Sequence, residues 1–385
     1  MNWIRVVVAG AVVALLCGCQ TIGNAYTDLF GPSKPKIPEL APIKQTATLS
    51  VLWQAAVGES GQTVFFPAVD RGVVYVAGRS GQIAGREGTT GKSVVQFSSE
   101  ETLGAGVGAG GGLILVVTNQ SELLAFNAEG RRLWKVRVLG EVLAPPATDQ
   151  GVVVVRAGND QIYGLNATDG KQRWLYQRTP PPLSVRAFAG VVLYRGAVFA
   201  GFAGGRIAAL RLSDGTVGWE NVVALPRGTT ELERVADVTS LPVIDEPRVC
   251  AVAFQGRIAC FDITRGTQLW TRDISSIAGM TVDARYLYVT DDKSAVLALD
   301  KSSGASIWRQ DKLAGRRLSA PLVVGNHVVL GDIQGYVHVL SRETGALEAR
   351  MATDGSAIAA APVAAGTTGF VVQTRNGGVF AMGFQ

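Results

Sequence analysis

Two neighbouring carboxylates, Asp291 and Asp292, and two histidines, His327 and His338, are the side chains whose types could do acid–base or metal chemistry. The carboxylates follow the strand-like run Tyr286-Leu-Tyr-Val289 and fall where a hairpin must turn, which is the place of a solvated turn rather than of a general acid. His338 stands in Tyr336-Val-His-Val-Leu340 and reads as a wall or surface residue, while His327 follows the turn Gly325-Asn326. Neither histidine has a Cys or Glu at metal-ligand spacing. The glycines between Ala105 and Gly112 could cradle a phosphate only if a helix followed, and none is predicted there. Nucleophile elbow, P-loop and Cys-x-x-Cys are all missing. No catalytic residue, metal site or cofactor is therefore expected.

Cysteine chemistry is confined to two pairs, Cys17 with Cys19 and Cys250 with Cys260. The second pair flanks a hairpin around Gln255-Gly256. A two-residue turn there pairs residue 251 with 260 and puts Cys250 on the opposite face. A three-residue turn is read as leaving the two diagonal. Small buried hydrophobes are thus favoured over a disulfide, even in an oxidising compartment.

The elements that would position any site repeat at a fixed period. Ala298-Leu-Asp-Lys-Ser-Ser-Gly-Ala-Ser-Ile-Trp308 reads as a strand end, a turn closed by Gly304 and a new strand carrying Trp308. The phrase recurs as Asn166 to Gly170 to Trp174, Asp262 to Gly266 to Trp270, Asn127 to Gly130 to Trp134, and Asp214-Gly215 to Trp219. The turn glycines are Gly91, Gly130, Gly170, Gly215, Gly266, Gly304 and Gly345, at intervals of 39, 40, 45, 51, 38 and 41 residues. Val95 and Ala349 hold the Trp position in the two copies that lack it. Each copy has room for four short strands, which fits a β-propeller blade. We number the blades 1 to 7 by these glycines. A last segment, Val379-Phe-Ala-Met382, stops before its own glycine, while Leu49-Ser-Val-Leu-Trp53 carries a Trp without a preceding blade. The two together make blade 8. The predicted fold is all-β: an eight-bladed β-propeller of four-stranded blades, its last blade closed by the N-terminal strand, so that no sheet edge is left open at the ends.

Composition agrees. The chain has 385 residues, 47 of them Gly, with 47% hydrophobic and 17% charged residues. Its net charge of +5 is scattered, without the basic stripe and stacking aromatics that nucleic-acid binding needs. Residues 1–18 read as a signal peptide, with Arg5 followed by the apolar run Val6 to Leu16, too short to span a membrane. Leu16-Cys17-Gly18-Cys19 resembles a bacterial lipobox, which implies cleavage before Cys19 and acylation of its thiol and amine. Gln20 is not the aspartate of the inner-membrane retention signal, so the outer membrane is implied, with lipid as the only membrane contact. Residues 19–45 form a tether interrupted by Pro32, Pro35, Pro38 and Pro42, able to reach about 80 Å as extended polyproline or roughly 30 Å as a coil. The propeller is placed at 46–385.

The two longest intervals flank blade 4. One holds Thr179-Pro-Pro-Pro-Leu-Ser-Val-Arg186, the other Glu231, Glu233, Arg234 and Asp237. Loops that lengthen on a rigid scaffold are where binding usually sits.

The repeat phrase is similar to that of pyrroloquinoline-quinone dehydrogenases, which are also eight-bladed propellers. Their chemistry needs calcium ligands, a catalytic aspartate and adjacent cysteines. The mature chain has no adjacent cysteines, is short for that class and lacks Cys-x-x-Cys-His, so a quinone-dependent dehydrogenase or ligand-sensing propeller is the alternative only. Lipobox, Pro-rich tether and eight repeats together resemble the BamB family of outer-membrane assembly lipoproteins. The resemblance spans essentially the whole chain. It implies a non-enzymatic subunit of the β-barrel assembly (BAM) complex, on the periplasmic face of the outer membrane. The implied partners are the POTRA domains of BamA and other BAM subunits, with unfolded outer-membrane proteins as candidate clients. Leu183-Ser-Val-Arg186 is similar to the family's Leu-Ser-Leu-Arg docking segment, which implies Leu183, Val185 and Arg186 as contacts. Arg234-Val-Ala-Asp-Val-Thr239 is similar to the family's Arg-Leu-Ser-Asp-Val-Asp, carrying over Arg234 and Asp237 but putting a Thr where the second acid stands. Arg186 is expected to bond a partner carboxylate or carbonyl, or else to pair with Asp237.

Overall fold

The structure is a computed structural model that describes residues 37–384. The expected signal peptide, Cys19 and the expected tether up to residue 36 lie outside the described residues. Every regular element among the described residues is a strand, and the strands form eight four-stranded antiparallel sheets. Seven sheets follow chain order. The eighth runs Leu49–Ala56, Gly378–Phe384, Gly369–Gln373, Val363–Ala365, so the N-terminal strand completes the last blade as predicted. Inner strands of most successive blades touch, and Ala68–Asp70 of blade 1 meets Val363–Ala365 of blade 8, which closes the ring.

Strand chemistry follows radial position. The second and third strands of a blade are near-continuous apolar runs such as Val152–Arg156 and Val296–Asp300, buried on both faces. Outer strands such as Gln268–Arg272 alternate. The core lies between blades rather than inside one. Cys250, Val252, Ile258 and Trp270 of blade 5, for example, pack with Leu287, Val289, Leu297 and Leu299 of blade 6.

A bulge precedes each Trp. In blade 6 Leu299 pairs with Ser306 and Ala298 with Trp308, leaving Ile307 unpaired and turned to solvent. The indole is thereby aimed at the next blade. There its Nε1–H donates to a turn carbonyl: Trp270 to Lys301 at 3.0 Å, Trp308 to Arg342 at 2.9 Å, Trp174 to Leu212 at 2.9 Å. Trp53, Trp134 and Trp219 do the same for blades 1, 3 and 5. The ring of each indole lies on the turn glycine of that blade. Gly304 has φ +71°, and a Cβ there would stand 2.6 Å from Trp270. Asp300 shapes the same turn by accepting the amides and hydroxyls of Ser302 and Ser303, which hold its carboxyl at about 2.

The two Trp-less positions have different substitutes. Phe97, two residues beyond Val95, lies on Gly130. At Ala349 there is no glycine turn in blade 8 to cover. That seam is closed by Phe370 and Met382 against Val337 and Val339, by His327 stacked on Phe384 at 4.0 Å, and by Thr46 and Ala47 donating to the Glu348 carbonyl. Arg350 also reaches the Ala41 carbonyl, so contact with the ring begins ahead of residue 46.

Two expectations are corrected. Cys250 and Cys260 form a disulfide. The hairpin turns through residues 254–256, with Gln255 at φ +48° and Ala253 N–H donating to the Arg257 carbonyl. This three-residue turn sets Cys250 directly opposite Cys260, Cα atoms 4.0 Å apart, instead of diagonal. His338 is neither a wall nor a surface residue but fully buried. Its Nε2 meets Asp332 Oδ2 at 2.9 Å, and the same oxygen takes Arg316 Nε at 2.7 Å. Burial pushes His338 below the ordinary histidine range, outweighing the pull of Asp332, and Arg316 supplies the cation that balances the carboxylate.

The lock gives a direct test. Gly304→Ala forces a Cβ into Trp270 at a left-handed backbone position. It should cost about 2–4 kcal/mol in urea unfolding, whereas Gly72→Ala, also at positive φ but with open space around it, should cost about half as much or less.

Candidate functional site

Each blade ends on its outer strand at one face of the ring, and the connections to the next inner strand all lie there. On that face the structure brings together both long segments that the sequence singled out. Residues 178–190, joining blades 3 and 4, run without regular structure through Pro180, Pro181 and Pro182, which have no N–H to give a sheet. The segment is held from below at two points. Asp237 Oδ2 accepts the Val185 N–H at 2.6 Å, while its Oδ1 accepts the Gly204 N–H at 2.8 Å. Arg156 Nη1 donates to the Ala189 carbonyl at 2.8 Å. Asp237 is buried and the Arg156 side chain is only 9% exposed.

The five side chains implied as contacts therefore divide. Leu183, Arg186 and Arg234 are exposed, and Val185 is half-buried. Asp237 is buried and fully engaged with backbone, so it positions the loop rather than meeting solvent. Arg186 does not pair with Asp237. It pairs side-on with Glu141 of the blade 2–3 connection, Nη2 to Oε1 at 2.6 Å and Nε to Oε2 at 3.3 Å. Thr239 is buried too, its hydroxyl directed at the Ile277 and Ser276 carbonyls, so the position of the family's second acid is not a surface position here.

Beneath the loop lies a cleft of about 220 Å³ lined by Arg156, Asp160, Val185, Arg186 and Asp237. Burial raises the Asp160 carboxyl and lowers the Arg156 guanidinium, each partly offset by the other at 3.7 Å. Arg156 also lies over the Phe202 ring, 5.6 Å from its centre. Arg156 and Asp237 hold backbone and Arg156 pairs with Asp160, while Arg156 Nε and Asp160 Oδ2 stay buried without a hydrogen-bond partner. Among the described residues no three His, Cys, Asp or Glu converge as a metal site.

The second segment carries its own cap. Glu233 accepts the N–H groups of Thr229 and Thr230, and Thr230 Oγ1 accepts the Glu233 N–H. This is a capping box, legible as Thr230-Glu-Leu-Glu233. Those hydrogen bonds, from Thr229 first, hold Glu233 below its ordinary range. Glu141 had no such sequence signal, because its partner lies 45 residues away.

Known proteins carry the same ring. A family profile described as outer membrane protein assembly factor BamB matches residues 87–310. The BamB of Nitrosomonas eutropha is 46% identical over 97% of this chain and 94% of its own length. This chain belongs to the BamB family. The crystal structure of BamB from Moraxella catarrhalis superimposes with a TM-score of 0.80 at 26% identity, covering 88% of this chain and 100% of that one. A quinohemoprotein alcohol dehydrogenase from Pseudomonas putida gives a TM-score of 0.71 at 13% identity over 89% and 78% of the two chains, which is a likeness of fold alone. Within the BamB family the sequence-predicted resemblance is thus met over nearly the full chain.

Removing the lower anchor should free the loop. Asp237→Ala strands two N–H groups and is expected to cost about 1–3 kcal/mol. In limited trypsin digestion, cleavage after Arg186 should become several-fold faster than in the parent, while blade cleavage stays slow. Unchanged cleavage after Arg186 would show that Asp237 does not hold the loop.

Proposed function

We propose that this BamB-family chain is a non-enzymatic scaffold subunit of the β-barrel assembly machinery. In this reading it is anchored by acylated Cys19 to the periplasmic side of the outer membrane and docks on the POTRA domains of BamA. The observation that carries the reading is the loop 178–190. It presents Leu183 and Arg186 outward on a backbone held by Asp237 and Arg156. A loop held this way loses little conformational freedom on docking, which raises affinity for a given contact area. Glu141 occupies the Nε–Nη2 edge of Arg186, so a partner carboxylate or carbonyl meets the other side of the guanidinium. Leu183 supplies the apolar contact beside it. Both carboxylate oxygens of Asp237 accept backbone N–H groups, so this anchor holds the loop instead of acting as a general base, which supports a binding role over a catalytic one.

Calorimetric titration of BamA POTRA domains into the chain is the test. Arg186→Glu should weaken binding by about tenfold or more with an unchanged melting temperature, since Arg186 is exposed and its pair with Glu141 contributes at most about 1 kcal/mol. Wild-type affinity in Arg186→Glu would remove the loop from the interface.

A further inference from the structure

In every blade the second and third strands meet in a residue pair whose third-strand member faces the Trp position. Seven blades fill that pair without cysteine: Val154 with Gly164 in blade 3, Val329 with Val339 in blade 7 and Val371 with Ala381 in blade 8 are examples. Blade 5 alone has Cys250 and Cys260 there, joined as a disulfide. The ring closes such pairs without a covalent bond, so the reason for this one is local to blade 5.

What is local is the work of the hairpin tip. Two residue pairs, Ala251 with Ala259 and Val252 with Ile258, separate the bond from the turn 254–256. That turn is tied to both neighbouring connections. Phe254 N–H donates to the Asp237 carbonyl at 2.8 Å, Gln255 N–H to Ser275 Oγ at 2.7 Å, and Arg257 Nε to the Val223 carbonyl at 2.8 Å. Gly256 lies so close to Ala224 that a Cβ would stand 2.6 Å from its methyl group. Asp237 in turn accepts the Val185 N–H and so holds the loop 178–190. A continuous path of contacts runs from the disulfide through the tip and Asp237 to the loop that presents Arg186. A hairpin that slipped by one residue would turn the Phe254 N–H away from Asp237, and the bond forbids that slip.

We propose that the Cys250–Cys260 bond braces the loop 178–190 through Phe254 and Asp237, so that the loop is held in its docking form only in the oxidised chain. Two thiols give up two electrons and two protons as the bond forms, and the disulfide of a thiol–disulfide oxidant takes them up and becomes two thiols. Cys250 is 4% and Cys260 0% exposed, packed against Leu287, Val289 and Leu299 of blade 6. A thiolate cannot reach sulfur so buried in the closed ring, so the bond is set as the chain folds and kept afterwards. The consequence for binding rests on the docking reading; the brace itself does not.

The test compares the full chain with Cys250→Val/Cys260→Ala, which copies the Val371 and Ala381 pair of blade 8. In limited trypsin digestion well below the melting temperature, cleavage after Arg186 should be several-fold faster in the variant. Cleavage after Arg317, exposed in the connection between blades 6 and 7, should be unchanged. In an Asp237→Ala background the cysteine substitutions should add nothing further to cleavage after Arg186. Affinity for BamA should fall several-fold. Parent-like cleavage after Arg186, even with a lowered melting temperature, would make the bond a stabiliser of its own hairpin and overturn the brace. Equal acceleration after Arg186 and Arg317 would assign the bond to the whole ring and overturn it too, as would an effect additive to Asp237→Ala. Faster cleavage after Arg186 with parent-like BamA binding would uphold the brace and remove the loop from the interface. Should the variant not fold, the parent refolded with and without a dithiol reductant gives the same comparison.

Discussion

The contact on which the ring depends is the indole of one blade laid on the turn glycine of the next. It combines three constraints in a few residues. The glycine must take positive φ, it must lack a Cβ, and its turn must offer a carbonyl to the indole N–H. The bulge before each Trp aims the ring, and the aspartate or asparagine that opens most turns fixes where the carbonyl points. Losing one indole would cost about 3–5 kcal/mol, a large part of a typical stability margin. Six of the eight seams carry an indole contact of this kind. The seam between blades 7 and 8 has neither Trp nor turn glycine. There Leu49–Ala56 pairs with Gly378–Phe384, and Thr46 and Ala47 just before it seal the join by donating to the Glu348 carbonyl.

The lock also explains where function can reside. Its contacts lie on the face opposite the long connections. The seam between blades 3 and 4 is fixed by Trp174 on Gly215, and the seam between blades 4 and 5 by Trp219 on Gly266. These seams flank the inner turn of blade 4 from which Asp237 accepts Gly204 N–H. The two longest connections can therefore vary without loosening the ring, and they are held by short-range polar contacts of their own: Asp237 to Val185, Arg156 to Ala189, Glu233 to Thr229. A rigid ring carrying internally tied loops suits docking to a folded partner.

Legibility in the sequence followed the range of the interaction. The period, the blade count and the split last blade were readable because the phrase from Asp300 to Trp308 is local and repeats. The glycine spacing also singled out residues 179–186 and 221–237, which fall on the connections 178–190 and 223–242. The Cys250–Cys260 bond was missed because a three-residue turn was read as leaving the two diagonal, whereas a turn through residues 254–256 sets Ala253 against Arg257 and so Cys250 directly opposite Cys260. His338 was misplaced because alternation does not report burial in a strand covered on both faces. The roles of Asp237 and Glu141 depend on partners 52 and 45 residues away, and nothing local announces such pairs.

The most direct measurement is hydrogen–deuterium exchange of the full chain with and without BamA. The expected result is slow exchange throughout the blades in both states, with new protection centred on residues 178–190 and 223–242. Protection centred on the outer strands, or on the face that carries the Trp–Gly contacts, would contradict the assignment of the loop face as the docking surface. Fast exchange across the blades before BamA is added would contradict the rigid ring itself.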